Sequence, residues 1–188
     1  MQTPSKHIEN SLGTWYYKGT MKQENKDKLA YAAGIIDGEG CVRIVARKPR
    51  FGRSTQHTLL LMVAQKDGRL VDWLFGNFGG IVYLKNKRTD GTDWIYEWRV
   101  TEQKAADVLK DVLPFLIVKK EQAELAIRFQ THKKGAGHYG DGRFMKLTEH
   151  EIALRDKMAN EISFLKRAFR KAKNPNVVEY TFKSMVQE

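Results

Sequence analysis

The chain has 188 residues and a formal net charge of +11, because 33 Lys and Arg outnumber 22 Asp and Glu. This length suits one domain with a substantial core, and the charge favours a polyanionic partner, either nucleic acid or an acidic membrane surface. No apolar run reaches the roughly 18–20 residues of a membrane-spanning helix. A single cysteine, Cys41, excludes an intramolecular disulfide and a multi-cysteine zinc site, so we expect an intracellular, reducing compartment, the cytoplasm or an organelle.

The predicted elements follow a polar N-terminal extension, residues 1–25, in which only Trp15-Tyr16-Tyr17 suits local packing. A first helix is predicted over about 26–38. The pattern then predicts, in order, strands at 41–47 and 58–65, a helix at 69–78, a hairpin with strands at 81–88 and 94–100, and helices at 105–112, 119–132 and 148–171. Residues 26–188 are thus expected to form one α+β domain of the order α-β-β-α-β-β-α-α, with a four-stranded antiparallel saddle-shaped sheet and helices on one face.

The most informative stretch is Ala-Ala-Gly-Ile-Ile-Asp-Gly-Glu-Gly, residues 32–40. Ala30, Gly34 and Gly38 recur every four residues and share one face of the helix, although each glycine costs roughly 1 kcal/mol relative to alanine. Small residues let two helix backbones approach closely. We therefore expect this helix to pack against another like it and to bring its last turn, with Glu39, to a shared place. The alternative is an ordinary buried helix with a glycine C-cap, which leaves the terminal carboxylate unexplained.

These nine residues resemble the defining motif of the LAGLIDADG homing endonucleases, with alanine and isoleucine in the leucine places and Glu39 in place of the second aspartate. The resemblance extends over roughly residues 26–171 and includes the order of elements. The chain contains one copy of the motif, so the second copy has to come from another subunit, and a symmetric homodimer is expected. The predicted interface residues are Ala30, Ala33, Gly34 and Asp37.

A metal site is expected at the end of the first helix. Phosphodiester cleavage needs an activated water and relief of negative charge, most of which a divalent metal supplies. Mg²⁺ prefers carboxylate, carbonyl and water oxygens. Glu39 offers a carboxylate, and the carbonyl of Gly38 lies at the negative end of the helix dipole. One carboxylate is a weak site, so two copies of Glu39 are expected to hold Mg²⁺, or another hard divalent cation, against two scissile phosphates.

Two further segments extend the resemblance. Residues 63–69 look like the end of the family's second strand, which implies that Gln65 organises water near the metals and that Arg69 supports it. Residues 114–123 look like the family's Pro-Phe-Leu segment, which implies that Lys119 lies beside the scissile phosphate. Each residue also has an ordinary interpretation: Gln65 ends a strand, Arg69 caps one, and Lys119 is a surface lysine.

Basic residues are concentrated on the predicted strands and on the loop between the first two. A twisted ribbon of strands can fill the DNA major groove, where Arg and Lys bind phosphates or guanine edges and Gln can pair with adenine. The alternative is a solvated face that merely carries charge. The predicted DNA-binding residues are Arg43, Arg47, Lys48, Arg50, Arg53, Gln56, Tyr83, Lys85 and Lys87.

The face assignment of the last strand follows from its aromatic residues. Trp94, Tyr96 and Trp98 alternate and are expected on the buried face, with Glu97 and Arg99 pointing outward. The basic residues of the helix at 148–171 are expected mainly to solvate that helix. The alternative is that they contact DNA phosphates, which would steepen the salt dependence of binding.

Together, these features predict a homodimeric, site-specific endonuclease that cleaves double-stranded DNA at a long, pseudo-palindromic target with a divalent metal. The resemblance implies 3′ overhangs and an intron or intein origin for the gene. One alternative is an RNA-binding intron maturase on the same fold, and another is a catalytically silent DNA-binding protein. Peripheral membrane binding is disfavoured, because the basic residues occupy strand and loop positions rather than one amphipathic helix.

Overall fold

The structure is a computed structural model that describes residues 8–9, 15–16, 21–47, 55–86, 94–135 and 147–171. Two short antiparallel strands, β1 (Ile8–Glu9) and β2 (Trp15–Tyr16), precede the domain. The domain consists of α1 (Met21–Glu39), β3 (Gly40–Arg47), β4 (Gln56–Gln65), α2 (Gly68–Phe78), β5 (Ile81–Asn86), β6 (Trp94–Thr101), α3 (Glu102–Val112), a 3-10 helix (Leu113–Phe115), α4 (Lys120–Gly135) and α5 (Glu149–Lys171).

The α+β prediction is confirmed. From α1 to α4 the order is the predicted α-β-β-α-β-β-α-α, and α5 follows it. Helix α1 begins at Met21 rather than near residue 26, so the last part of the predicted extension is helical. None of the helices in the described ranges combines the length and the hydrophobicity needed to cross a bilayer.

The four long strands form one antiparallel sheet in the order β3-β4-β6-β5. In the register, Gly40 lies opposite Val63, and Tyr83 lies opposite Glu97. The hairpin of β5 and β6 is therefore confirmed, while its predicted Asp-Gly turn lies outside the described residues.

The hydrophobic core lies between one face of this sheet and the helices. Alternate strand residues point into it, because successive side chains of a strand face opposite sides. Each of the five α-helices contributes at least one buried apolar side chain to the same cluster. Large side chains that are fully buried there include Ile36, Val42, Leu61, Leu74, Trp98, Leu109, Phe129 and Ile162. The other face of the sheet, which carries Arg43 and Arg47, is left facing away from the helices.

Strand β6 confirms most of the predicted face assignment but not all of it. Trp98 is fully buried in the core, and Tyr96 packs against it as expected. Trp94, in contrast, is 50% exposed because it lies at the end of the sheet, opposite Asn86. The prediction that Glu97 points outward was correct for its face but wrong for its environment, since Glu97 is only 5% exposed.

Polar contacts hold helix α5 against the rest of the domain. The fully buried His57 ring meets Asp156 through Nε2 and Oδ1 at 2.7 Å. Glu151 accepts a 2.5 Å hydrogen bond from Arg155 Nε and lies 2.9 Å from His132 Nε2. Burial raises the pKa of Glu151, but the hydrogen bonds from Arg155 and His132 outweigh this effect and leave its pKa lowered. These contacts fix α5 against β4 and α4.

Candidate active site and nucleic-acid interface

The acidic end of α1 is built by an abrupt helix-to-strand transition. Helix α1 ends at Glu39, and β3 begins at the next residue, Gly40. A Cβ on Gly40 would lie 2.5 Å from the carbonyl oxygen of Ile36, so the backbone can turn here only with glycine. Because Ile36 is fully buried, it anchors the helix end, and Glu39 remains exposed.

Asp37 ties Lys119 to this helix end. Its carboxylate accepts hydrogen bonds from the backbone N–H groups of Ile117 at 2.8 Å and of Lys119 at 2.9 Å. In return, Lys119 Nζ donates to the main-chain oxygen of Asp37. The structure thus places the Lys119 amine at the end of α1, the helix end that carries Glu39. The contact made by Asp37 was not predicted, although an aspartate in a C-terminal helical turn opposes the helix dipole and so signals a specific need.

The charge of Lys119 is set by several neighbours. Burial lowers the pKa of the Lys119 amine, because it penalises the charged form, and the nearby Asp37, Cys41 and Glu39 act in the opposite direction and offset part of this effect. Lys166 acts in the opposite sense and lowers this pKa further. These groups therefore share one electrostatic environment at the end of α1.

The remaining predicted active-site residues differ in position. Gln65 is the last residue of β4 and is half-buried. It lies two positions beyond the pairing of Gly40 with Val63, at the end of the sheet where α1 stops.

In the described part of the chain, Arg69 does not bond to the other predicted active-site residues. Its side chain is 91% exposed and pairs with Asp67, with Nη2 and Oδ2 2.5 Å apart. Asp67 also caps α2 by accepting the Arg69 N–H at 3.0 Å, and these bonds lower the pKa of Asp67 to about 2. Within the described residues, Arg69 makes no hydrogen bond or ion pair with Glu39 or Lys119. Its predicted role therefore has no contact to support it in the free chain.

The small-residue face of α1 is largely open to solvent. Ala30, Gly34 and Gly38 are exposed, and a Cβ on either glycine would meet no heavy atom within 4 Å. Ala33, in contrast, is fully buried in the core of its own chain, so the interface prediction is wrong for this residue. The reason is geometric: Ala33 lies one residue, or about 100°, from Gly34 around the helix.

The sheet face turned away from the helices carries the predicted basic residues. Arg43, Arg47 and Gln56 are exposed there, and Arg47 lies directly opposite Gln56 across β3 and β4. Tyr83 and Lys85 lie on the same face at the other edge of the sheet. The predicted Lys48, Arg50, Arg53 and Lys87 lie outside the described residues.

A buried carboxylate neutralises part of this face. Glu97 accepts hydrogen bonds from Lys85 Nζ at 3.0 and 3.1 Å and one from Arg99 Nε. Burial raises the pKa of Glu97, but the bonds from Lys85 and Arg99 outweigh it, so the pKa is lowered. The Arg99 guanidinium stands 4.8 Å from the centre of the Tyr83 ring, a cation–π distance. Arg99 thus belongs to this surface, and its outward position in the alternating pattern was the available signal.

The oxygen donors at the end of α1 suit a hard cation but are few. Within the described ranges, no group of three or more His, Cys, Asp and Glu residues is arranged to hold a metal ion. One chain supplies the exposed Glu39 carboxylate and the Gly38 carbonyl. Both are the kind of ligand that Mg²⁺ takes in proteins. The donor set therefore fits Mg²⁺ in type but is incomplete within one chain.

Comparison with known proteins identifies the fold. No protein-family model matches the chain, and no curated protein matches it either. Among solved structures, the homing endonuclease I-CvuI in complex with a DNA target is 21% identical, with a TM-score of 0.60 over 76% of this chain and 83% of that one. The archaeal intron-encoded I-Vdi141I, complexed with DNA, is 18% identical, with a TM-score of 0.61 over 74% and 84%. The LAGLIDADG meganuclease I-AabMI is 20% identical, with a TM-score of 0.53 over 69% of this chain but 44% of that one.

The chain has the LAGLIDADG homing-endonuclease fold. Its signature helix is α1, and the sheet lies beyond the exposed end of that helix. Lys119 is bonded to Asp37 at the end of α1 that carries Glu39, and Gln65 ends β4 at the same end of the sheet. Arg69 instead forms an ion pair with Asp67.

Proposed function

We propose that the protein is a homodimeric, metal-dependent and site-specific endonuclease for double-stranded DNA. The observation that carries the proposal is the exposed carboxylate of Glu39 at the end of α1, with the Lys119 ammonium held beside it by Asp37. A protein that only binds DNA has no need of an exposed acid beside its phosphates. The solved complexes of I-CvuI and I-Vdi141I with DNA support DNA as the partner.

The exposed sheet face supports the recognition of DNA. Arg43 and Arg47 alternate with the buried Val42 and Ile44, so both guanidinium groups project from the same side of β3. A sheet of this width fits the major groove, where phosphate contacts set the register and base contacts set the sequence. Arg99 lies on the same exposed sheet face, and its contacts with Glu97 and Tyr83 hold its side chain in one orientation. Pre-ordering an arginine in this way reduces the entropy lost on binding.

The incomplete donor set supports a homodimer. The exposed small-residue face of α1 allows close approach of a second helix. Beside it, Ile117 is 86% exposed and Val118 is 52% exposed, a cost that burial against a partner would remove. Two chains joined here would bring two copies of Glu39 together. The match to 44% of I-AabMI agrees with a working unit larger than one chain.

The chemistry follows from the residues at this junction. Glu39 and the Gly38 carbonyl would hold Mg²⁺, which supplies charge neutralisation and a more acidic water. Lys119 would neutralise charge on the scissile phosphate, and the contact of its amine with Asp37 at the end of α1 supports this role. Gln65 donates and accepts hydrogen bonds, so it can orient the attacking water. We expect staggered cuts with 3′ overhangs in a pseudo-palindromic target.

Cleavage of a randomised library tests the proposal. Duplexes cut by the protein with Mg²⁺ are selected and sequenced, and the wild type is then compared with Glu39→Gln on the selected target. We expect Glu39→Gln to abolish cleavage and to leave the Kd for the duplex within about twofold. Glu124→Gln, which removes an exposed carboxylate on α4, is the matched control and should cleave normally. Binding without cleavage by the wild type would instead indicate a DNA-binding protein, and full cleavage by Glu39→Gln would exclude its metal role.

A further inference from the structure

A second lysine reaches the end of α1 from the far end of the chain. Lys166, near the end of α5, places its Nζ 2.9 Å from Cys41 Sγ. Cys41 follows Glu39 by two residues, with only Gly40 between them. Although 125 positions separate Lys166 from Cys41 in sequence, the fold brings this ammonium to the strand that begins at the candidate active site.

The position of Lys166 is set by a well-anchored helix. Ile162, one turn earlier, is fully buried in the core, and Leu165 packs against the same core. At the other end of α5, Asp156 meets the buried His57. Since both ends of this segment are held by the domain, the approach of Lys166 to Cys41 is a property of the fold and not of a loose terminus.

The electrostatic surroundings of Lys166 are unusual for a structural lysine. Among the described residues, its hydrogen-bond partner is a thiol, a weak acceptor, and no carboxylate pairs with it. Burial is the main cause of the lowered pKa of Lys119, and the positive charge of Lys166 is close enough to add a smaller effect in the same direction. Two half-buried ammonium groups therefore stand near Cys41, two residues from the exposed Glu39. This arrangement is unfavourable in the free protein and becomes favourable when an anion lies between or beside the two amines.

We propose that Lys166 binds a backbone phosphate of the DNA duplex beside the scissile one, and that Cys41 Sγ holds the amine in place in the free protein. The inference rests on the proposed function, because it uses the same duplex and the same end of α1. It assigns to α5 a part in substrate binding, which the sequence left as the less favoured interpretation of the basic residues of that helix. Lys166 is a positioning residue here, since it contacts a phosphate next to the reacting one.

The test uses two charge-removing substitutions on the same helix. Lys166→Gln removes the proposed contact, and Lys157→Gln is the matched control. Lys157 lies nine residues earlier, about two and a half turns, and its exposed side chain projects from the opposite side of α5. Lys166→Arg restores the charge. The Kd for the selected duplex is measured in EDTA, so that no metal is present, over a series of salt concentrations.

We expect Lys166→Gln to weaken binding at low salt by about ten- to hundredfold for each of the two chains of the dimer, the range of a hydrogen bond to a charged group. The slope of log K against log salt should become shallower by about 1.8, because the dimer loses two phosphate contacts and each is worth about 0.9. Lys157→Gln should leave the slope unchanged, and Lys166→Arg should restore most of the affinity. A merely structural lysine would change the melting temperature without changing the salt slope.

Three outcomes would overturn the inference. One is a Lys166→Gln variant with the wild-type slope, another is an equal loss in Lys157→Gln, and the third is a failure of Lys166→Arg to restore binding. In each of these cases the wild type still binds and cleaves the duplex, so the proposed function survives. A wild type that neither binds nor cuts any duplex would refute the proposed function itself, which separates the two failures.

Discussion

Asp37→Asn is the perturbation that most sharply probes how Lys119 is placed. The asparagine side chain keeps one acceptor oxygen but replaces the other with an NH₂ group, which cannot accept a hydrogen bond. One of the two backbone N–H groups, of Ile117 or of Lys119, then loses its partner. The Ile117 contact is exposed, and water can replace it there. The Lys119 contact is partly buried, and the loss costs about 1–3 kcal/mol.

For a domain of this size, about 1 kcal/mol shifts the melting temperature by about 2–4 °C. Asp37→Asn should therefore lower it by about 2–12 °C. We also expect single-turnover cleavage to slow by about a hundredfold, because a displacement of about 1 Å at a reacting centre has effects of this size. Melting is followed at one fixed protein concentration, since self-association makes the transition concentration-dependent.

Asp72→Asn is the matched control, because Asp72 is exposed on α2, where such changes stay within about 0.5 kcal/mol. An Asp37→Asn variant that melts and cleaves like the wild type would show that the Asp37 carboxylate does not position Lys119. It would mean that the 117–119 segment is held at the end of α1 by something other than the Asp37 carboxylate.

Three further predictions concern the helix end, the interface and the sheet face. Gly40→Ala should lower the melting temperature by several degrees, since its Cβ would lie 2.5 Å from the Ile36 oxygen, and an unchanged melting curve would contradict this. Gly34→Leu should leave the fold intact, because its Cβ enters open space, but should abolish self-association in sedimentation equilibrium; a dimer of wild-type affinity would contradict the assigned interface. Glu97 has a folded-state pKa lowered from its ordinary 4.5, so its contribution to stability is present above about pH 4.5 and is lost as the pH falls through the folded value. The free energy of unfolding should therefore fall less steeply in acid for Glu97→Gln than for the wild type, and equal slopes would contradict the Lys85–Glu97–Arg99 network.

Local signals were enough to predict the fold. The residue spacing of the first helix and the alternation in the strands each show the period of their element, and the proline after α3 marks a helix end. The element order follows from these signals. Two parts of the candidate site were also predictable. Glu39 lies at a helix end, and Lys119 follows a recognisable Pro-Phe-Leu segment.

The contacts that complete the site were not predictable from local patterns. Asp37 meets Lys119 across 82 positions, and Lys166 meets Cys41 across 125, and no periodicity links such distant residues. Ala33 was misassigned because a helix of small residues does not reveal which of two neighbouring faces the core covers. Arg69 was assigned by resemblance, whereas its nearest acid, Asp67, competes for it locally.

The burial of Glu97 was missed for a similar reason. An acidic residue on an outward face is normally expected to be solvated. Arg99 follows Glu97 by two residues on the same face of β6, but only the antiparallel pairing with β5 brings Lys85 to the same carboxylate. Cross-strand pairing of this kind depends on strand order, which the sequence leaves open.

Cleavage by a mixed dimer shows whether two copies of Glu39, one from each chain, each serve one DNA strand. Wild-type and Glu39→Gln chains carrying different affinity tags are co-expressed, and the heterodimer is purified through both tags. It is then incubated with Mg²⁺ and a supercoiled plasmid that contains the selected target. We expect the plasmid to accumulate as a nicked circle, because only one strand is cut. Linearisation at the rate of the wild-type homodimer would contradict this expectation.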